Sequence, residues 1–458
     1  MGNVLIENNT LKNIADSIRE KNHCEDLYKP GDMPGAIGQI KTGGILPDES
    51  LPIKFFDYDG RLLYSYSLEE VQELTALPEL PVHEGLIGQG WNWTLDDLKE
   101  ENGPMTVGAH YITDDGATRI YINLDTHVHS LTVKFGQDMP DGVKIDWGDG
   151  SPLETSTVVF INEYTYVTAR HEYQNPGRYV ISLIPDEETV LTIKGSSFYG
   201  TYLVTGDEMT MDGNRLYYSF VEKIEIGQNV MLGGSAFHMM NYLKSITIPQ
   251  LQIMSGQDLF AYCSELKFVT LSKGVQMDDY CLSYCSNLEA VSIPNTVEEI
   301  KSYGIGNCES LEEVNLPRSV KTLGNSCFQS CSALRKVTSN GGVDSIGYSC
   351  FSNASNLKEA DILGAEITKI ENSVFNGCAS LRKMVIPSMV TEIGSSAFYI
   401  MYCLTDMYLY CDTPPTLPSY SIDMVSKSFM LHVKKGTIAA YQEDSVWSKF
   451  KNIIEMED

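Results

Sequence analysis

The sequence predicts a multidomain, mainly β protein: a small α/β N-terminal region, an antiparallel β-sandwich, and then a leucine-rich solenoid closed by a C-terminal cap. Three observations carry this. First, a line L-x-x-I-x-I recurs at Leu243-Ile246-Ile248, Leu288-Val291-Ile293, Leu311-Val314-Leu316 and Leu381-Met384-Ile386, with looser copies from Leu266, Leu334, Leu357 and Leu404. The leucines lie 23, 22, 23, 23, 23, 24 and 23 residues apart, and six residues before each stands Phe237, Phe260, Leu282, Ile305, Phe328, Phe351, Phe375 or Phe398. A fixed period of this length marks stacked coils, each giving one short strand and none able to bury its apolar face alone. Second, residues 118–194 hold short alternating apolar runs between turn residues, the pattern of an antiparallel sandwich. Third, residues 53–117 mix hairpin and helix signals.

In chain order, residues 1–46 read as a helical attachment segment. Leu11, Ile14, Ala15 and Ile18 form an apolar stripe, Asn9 or Thr10 caps it, and a loop at Pro30-Gly31-Asp32 precedes a shorter helix over 33–40. So short a helix needs a partner surface, so the stripe reads as a docking or homo-oligomer face. A linker follows at 41–52.

Residues 53–117 form a small mixed domain. Strands at 53–58 and 61–66 flank the turn Asp59-Gly60, and Ser67 with Glu70 makes a capping box opening a helix over 68–77. Trp91 and Trp93 suit a core or interface better than a sugar platform. Turn chemistry accounts for the pairs Asp57/Asp59 and Asp114/Asp115 without calcium, since no twelve-residue loop accompanies them.

In the sandwich, strands are expected at 119–124, 130–135, 143–147, 158–161, 179–184 and 190–193, with Trp147 as core plug and Asp149-Gly150 as a turn. His127 and His129 share a strand face and read as solvated or hydrogen-bonded side chains rather than metal ligands. Residues 195–236 form a capping coil, in which Val221, Ile224 and Ile226 precede the first clear rung. The repeats run over 237–412. Residues 413–458 close the far end, with Tyr441, Trp447 and Phe450 covering the last rung.

Eight rungs at the sheet spacing make a wall about 35–40 Å long. Its outward strand positions are Thr247, Thr270, Ser292, Asn315, Thr338, Asp361, Val385 and Tyr408, a mostly small and polar ladder suited to a protein or sugar partner. Thr247, Thr270, Ser292, Asn315, Thr338, Asp361 and Tyr408, with Tyr262 and Tyr284 nearby, are the candidate binding residues.

Of eleven cysteines, Cys263, Cys285, Cys308, Cys331 and Cys378 stand three residues before a repeat leucine, and Cys281, Cys327 and Cys350 just before the large apolar residue. That placement predicts buried packing thiols, not metal ligands, because no CxxC or paired His accompanies them. An odd, unpaired set implies folding in a reducing cytoplasm. Lys plus Arg is 33 against 61 Asp plus Glu, a net charge of −28, which excludes nucleic acid and disfavours anionic surfaces as partners. Neither a signal-peptide pattern at Met1 nor an apolar run of spanning length is present, so no membrane insertion is expected, nor export by the common route. No nucleophile elbow, phosphate loop, HExxH or zinc spacing occurs, so neither catalysis nor a cofactor or metal is expected.

Three resemblances add to this reading. The register of phenylalanine, leucine and the following Ile248-Pro249, Ile293-Pro294, Leu316-Pro317 and Ile386-Pro387 resembles the BspA-type leucine-rich repeat, which implies a binding solenoid. Trp147-Gly-Asp-Gly-Ser151 and the stretch from His171 to Tyr179 look like the signatures of a PKD domain, which implies an immunoglobulin-like spacer or binding module. The stretch Leu11 to Lys21, with Phe55-Phe-Asp-Tyr-Asp-Gly60 and Gly85-Leu-Ile-Gly-Gln-Gly-Trp-Asn-Trp93, resembles the front of tail or baseplate proteins of phages infecting Gram-positive bacteria. Together they imply a phage tail or baseplate protein assembled in the host cytoplasm and carried on the virion. Its front end would grip other tail proteins, its sandwich would be a spacer, and its repeats would bind a host surface protein or glycan. A bacterial cell-surface BspA-like adhesin and a purely structural virion component are the alternatives.

Overall fold

A computed structural model describes residues 47–125, 130–161, 164–195, 203–206, 220–250, 254–418 and 420–457. The chain divides into two compact units, 1–49 and 50–458, and the account below concerns the second. The expected helices at 11–18 and 33–40, and His127 and His129, lie outside the described residues.

The small domain begins with β1 (Ile53–Phe56) and β2 (Leu62–Tyr66), an antiparallel pair joined by a turn in which Gly60 takes φ +89°. Helix α1 (Leu68–Glu73) starts at the reciprocal Ser67/Glu70 capping box. It ends a turn earlier than expected, where Lys99 Nζ donates to the Leu74 carbonyl at 2.7 Å and satisfies that end. Strand β3 (Leu86–Trp91), helix α2 (Leu95–Glu100) and strand β4 (Met105–Thr113) follow; a Thr94/Asp97 box caps α2. The sheet order is β2-β1-β4-β3, with β4 parallel to β1 and antiparallel to β3. Phe55, Trp91, Trp93, Leu98, Val107 and Tyr111 form a core of its own.

The next strands are β5 (Thr118–Leu124), β6 (Ser130–Gln137), β7 (Val143–Asp146), β8 (Glu154–Thr155), β9 (Val158–Ile161), β10 (Tyr164–Glu172), β11 (Gly177–Pro185), β12 (Leu191–Ile193), β13 (Val204–Gly206), β14 (Val221–Glu225), β15 (Val230–Leu232) and β16 (Ser245–Thr247). They build two sheets, β15-β12-β6-β10-β9 and β16-β14-β5-β11-β7-β8. Trp147 is buried between them, its indole donating to Glu154 at 3.0 Å. Strand β10 is not among the expected strands. Its inward Val167 and Ala169 alternate with exposed Thr168 and Arg170, but a small Ala gives a weak apolar signal.

Both sheets run directly into the solenoid. Strand β14 pairs antiparallel with β5 and parallel with β16, the first rung, while β15 pairs parallel with β12. The open end of the coil stack, which would otherwise expose its core and strand edge, is thereby closed by main-chain pairing. One apolar core extends from Ile120 to Trp447. The expected spacer is therefore continuous with the repeats.

Within the coils the large apolar residues stack. Phe328, Phe351, Phe375 and Phe398 follow one another at 5.2, 5.5 and 5.6 Å between ring centres, and Phe237 and Phe260 at 5.2 Å. Each coil turns on two residues of positive φ, one column running Ser235, Asp258, Tyr280, Tyr303, Ser326, the other Met239, Tyr262, Tyr284, Asn307, Ser330. The cysteine column is buried, and its thiols donate to the preceding coil: Cys263 to Phe237 O, Cys285 to Phe260 O, Cys308 to Leu282 O, Cys331 to Ile305 O and Cys378 to Phe351 O, at 3.1 or 3.2 Å. Burial pushes the Cys285 and Cys331 thiols up to about 12. At the far end Met430–Val433 and Ile453–Glu455 extend the sheet, while Tyr441 and Trp447 bury against it, the Trp447 indole donating to Pro415 O at 2.8 Å.

Candidate interaction surface

The outer strand face is not free along its whole length. Strand β4 lies across the strands at Ser245–Thr247, Phe268–Thr270, Ala290–Ser292 and Glu313–Leu316, so the small domain covers the first four rungs. Small residues on both sides permit the close approach. A Cβ on Gly108 would stand 2.1 Å from Thr270 Oγ1.

Asn92 is the polar hub of this contact. Its amide donates to Ser292 Oγ at 2.8 Å and to Leu271 O at 3.3 Å, and its oxygen accepts from Gly108 N at 2.9 Å. Ser292 Oγ in turn donates to Thr106 O at 2.6 Å. The Trp93 indole donates to Ile293 O at 3.2 Å, Phe56 stacks on Phe268 at 5.0 Å, and Gln250 N donates to Gln89 at 2.8 Å. His110 is fully buried here, its Nδ1 2.6 Å from Ile248 O. Burial lowers its pKa to about 4, against the Ile248 hydrogen bond, which raises it; the nearby Lys273 charge lowers it further. The contact is also incompletely satisfied: His110 Nε2, Glu101 Oε2, Thr270 Oγ1 and Ser272 Oγ are buried without a hydrogen-bond partner.

This arrangement corrects three expected contact residues. Thr247, Thr270 and Ser292 are buried, with 0%, 4% and 0% of their surface exposed, because a neighbouring domain of the same chain occupies the wall they line. Thr247 is further occupied in accepting from Ile226 N at 2.9 Å. Asn315 and Thr338 are half-buried and joined by a 2.9 Å hydrogen bond, and Asp361 is exposed. Tyr408 is half-buried with both ring faces engaged, Lys383 Nζ 4.4 Å from its centre and His432 stacked at 4.1 Å.

Tyr262 and Tyr284 are each 39% exposed and stack face to face at 4.5 Å on the turn side of the coils. The structure adds a second pair that sequence reasoning missed, Tyr280 and Tyr303, stacked at 5.0 Å. The available signal was their shared position, two residues before Leu282 and Ile305. Among the described residues no cluster of His, Cys, Asp and Glu could hold a metal ion, and no helix is long and apolar enough to cross a membrane.

Comparison with known proteins places the repeats. They match the family model of the BspA type leucine rich repeat region. Six copies match, over residues 183–289, 209–332 and 275–405. Among solved structures, a leucine-rich repeat protein from Bacteroides ovatus is 21% identical, over 52% of this chain and 66% of that one, with a TM-score of 0.37. A leucine rich cell surface protein from Faecalibacterium prausnitzii is 21% identical, over 52% of this chain and 70% of that one, with a TM-score of 0.25. A leucine-rich repeat protein of T. pallidum is 20% identical, over 47% and 82%, with a TM-score of 0.29. No curated protein matches the chain.

These findings overturn the phage reading. The family model that matches the repeats is the BspA type leucine rich repeat region, so the tail and baseplate partners and the virion location are withdrawn. The geometry gives the physical reason for part of this. Residues 53–117, expected to fasten the chain to a particle, lay their β4 face on the chain's own repeats. The cysteine argument for a cytoplasmic home also falls away, because thiols buried and pushed far from ionisation resist oxidation in any compartment.

Proposed function

We propose that the chain is a BspA-like adhesion protein of a bacterial surface, with the repeats as its binding element. The observation that carries this reading is the family match of the repeats, joined to an outer face that is open at Asp361, past the small domain's contact with Asn340. On this reading Thr338, Asp361 and Tyr408, with Tyr262 and Tyr284 on the turn side, meet a host surface protein or glycan, while Asn315, on the covered fourth rung, supports Thr338 through their shared hydrogen bond. Residues 118–194 act as an immunoglobulin-like, PKD-like module whose sheets close the N-terminal end of the stack. The small domain at 53–117 acts as a fixed cover that confines binding to the later rungs and to the turn side.

The test uses the full chain immobilised on beads, offered to cultured epithelial cells, matrix proteins and a glycan array. Saturable binding that weakens when Asp361→Lys is introduced supports the reading. Absence of saturable binding to every surface would refute it.

A further inference from the structure

We infer that the tyrosine columns on the turn side form a docking strip for a basic, arginine-bearing segment of a partner protein. This deepens the adhesion reading and rests on it only for where the partner is met. Tyr280 and Tyr303 make one column and Tyr262 and Tyr284 the other, all on adjacent coils. Each takes a positive φ, between 55° and 65°. A tyrosine is costly there, and other coils carry Ser326, Asn307, Ser330, Asn353 or Gly377 at the same positions. Local folding therefore does not call for tyrosine at these four sites.

Charge selects the partner. Asp258 precedes Tyr280 in its column, half-buried, and its carboxyl is raised by burial and by neighbouring Asp279. The nearby Lys301 ammonium is engaged with Asp278 at 2.6 Å. The strip thus combines aromatic rings with two carboxylates that repel one another, on a chain of net charge −28. Because the rings stack on each other and the His238 ring stands edge-on 5.7 Å from Tyr262, the faces left for a ligand are that of Tyr280 toward Asp258 and those of Tyr303 and Tyr284 toward Ser326 and Asn307. A guanidinium plane can stack there while its N–H groups reach the carboxylates; a lysine ammonium offers no such plane.

The experiment measures fluorescence anisotropy of a labelled peptide alternating arginine and glycine, with lysine and glutamate counterparts, on the full chain at about 150 mM salt. The arginine peptide should bind tighter than the lysine one, and the glutamate one not at all. The quadruple variant Tyr262→Asn, Tyr280→Ser, Tyr284→Asn, Tyr303→Ser leaves charge unchanged and should bind roughly ten-fold more weakly while melting no lower than the parent. Asp258→Asn with Asp279→Asn should weaken binding, and Glu188→Gln with Glu366→Gln, remote and charge-matched, should not. Unchanged binding by the tyrosine variant, or equal loss in both carboxylate pairs, overturns the proposal and leaves only the general field of an acidic protein. Peptide binding with no cell or matrix binding would remove the adhesion reading and leave this strip standing.

Discussion

Replacing Asn92 with Ala should loosen the small domain from the repeats while leaving both folded. The side chain holds four partner atoms across or beneath the seam, Ser292 Oγ, Leu271 O, Ser292 O and Gly108 N, at 2.8, 3.3, 3.4 and 2.9 Å. Truncation removes all four and leaves the Gly108 N–H buried without its acceptor. A buried group so stranded costs about 2 kcal/mol, the short Ser292 Oγ bond adds roughly 1 kcal/mol, and the two longest bonds add little, so the total is about 3 kcal/mol. At about 1.4 kcal/mol per decade, that raises the undocked fraction roughly a hundred-fold. Hydroxyl-radical footprinting with mass spectrometry reads the result residue by residue. Trp93 and Phe268, buried at the seam, should gain oxidation, while Phe375 and Trp447, deep in the stack and cap, serve as references. Unchanged oxidation at Trp93 and Phe268 would refute the hub assignment. A parallel rise at Phe375 would show instead that the two parts unfold as one.

Four further outcomes follow from the same geometry. The buried His110 has a folded pKa of about 4, below the usual 6.5, so its contribution is complete above about pH 6.5 and is lost as pH falls toward 4, up to about 3 kcal/mol; His110→Gln should flatten that slope in pH-dependent denaturation. Asp149 is lowered to about 2 although burial raises it, because hydrogen bonds from His171 and Ser151 outweigh that burial; its contribution holds above about pH 4 and fades toward pH 2, so the stability gap between the parent and Asp149→Asn should close over that acid range. Among the described cysteines only Cys403 is exposed, so a thiol reagent should label it quickly in the native protein and the buried columns only on unfolding. Trp447→Ala should cost about 3–5 kcal/mol and make the last rungs the first site of limited proteolysis, since this ring seals the stack and holds Pro415 O.

Much of the solenoid was legible because its information is periodic. A phenylalanine or its equivalent six residues before a leucine fixes which side chains point inward, and stacking of identical coils does the rest. The Ser67/Glu70 box was equally readable, being a contact within one turn. The site was far less so. Thr247, Thr270 and Ser292 look the same in sequence as Thr338 and Asp361, yet the first three are sealed and Asp361 is open.

The coil, its register and its thiol columns follow from local pattern, because each depends on neighbours about one period away or nearer. That the sandwich sheets continue into the stack and that β4 lies on the first rungs emerges only in the folded chain. Those contacts join Asn92 to Ser292 and His110 to Ile248 across long stretches of chain. They rest on matched shapes, a missing Cβ at Gly108 against the Thr270 methyl and hydroxyl, and no local pattern encodes such a fit.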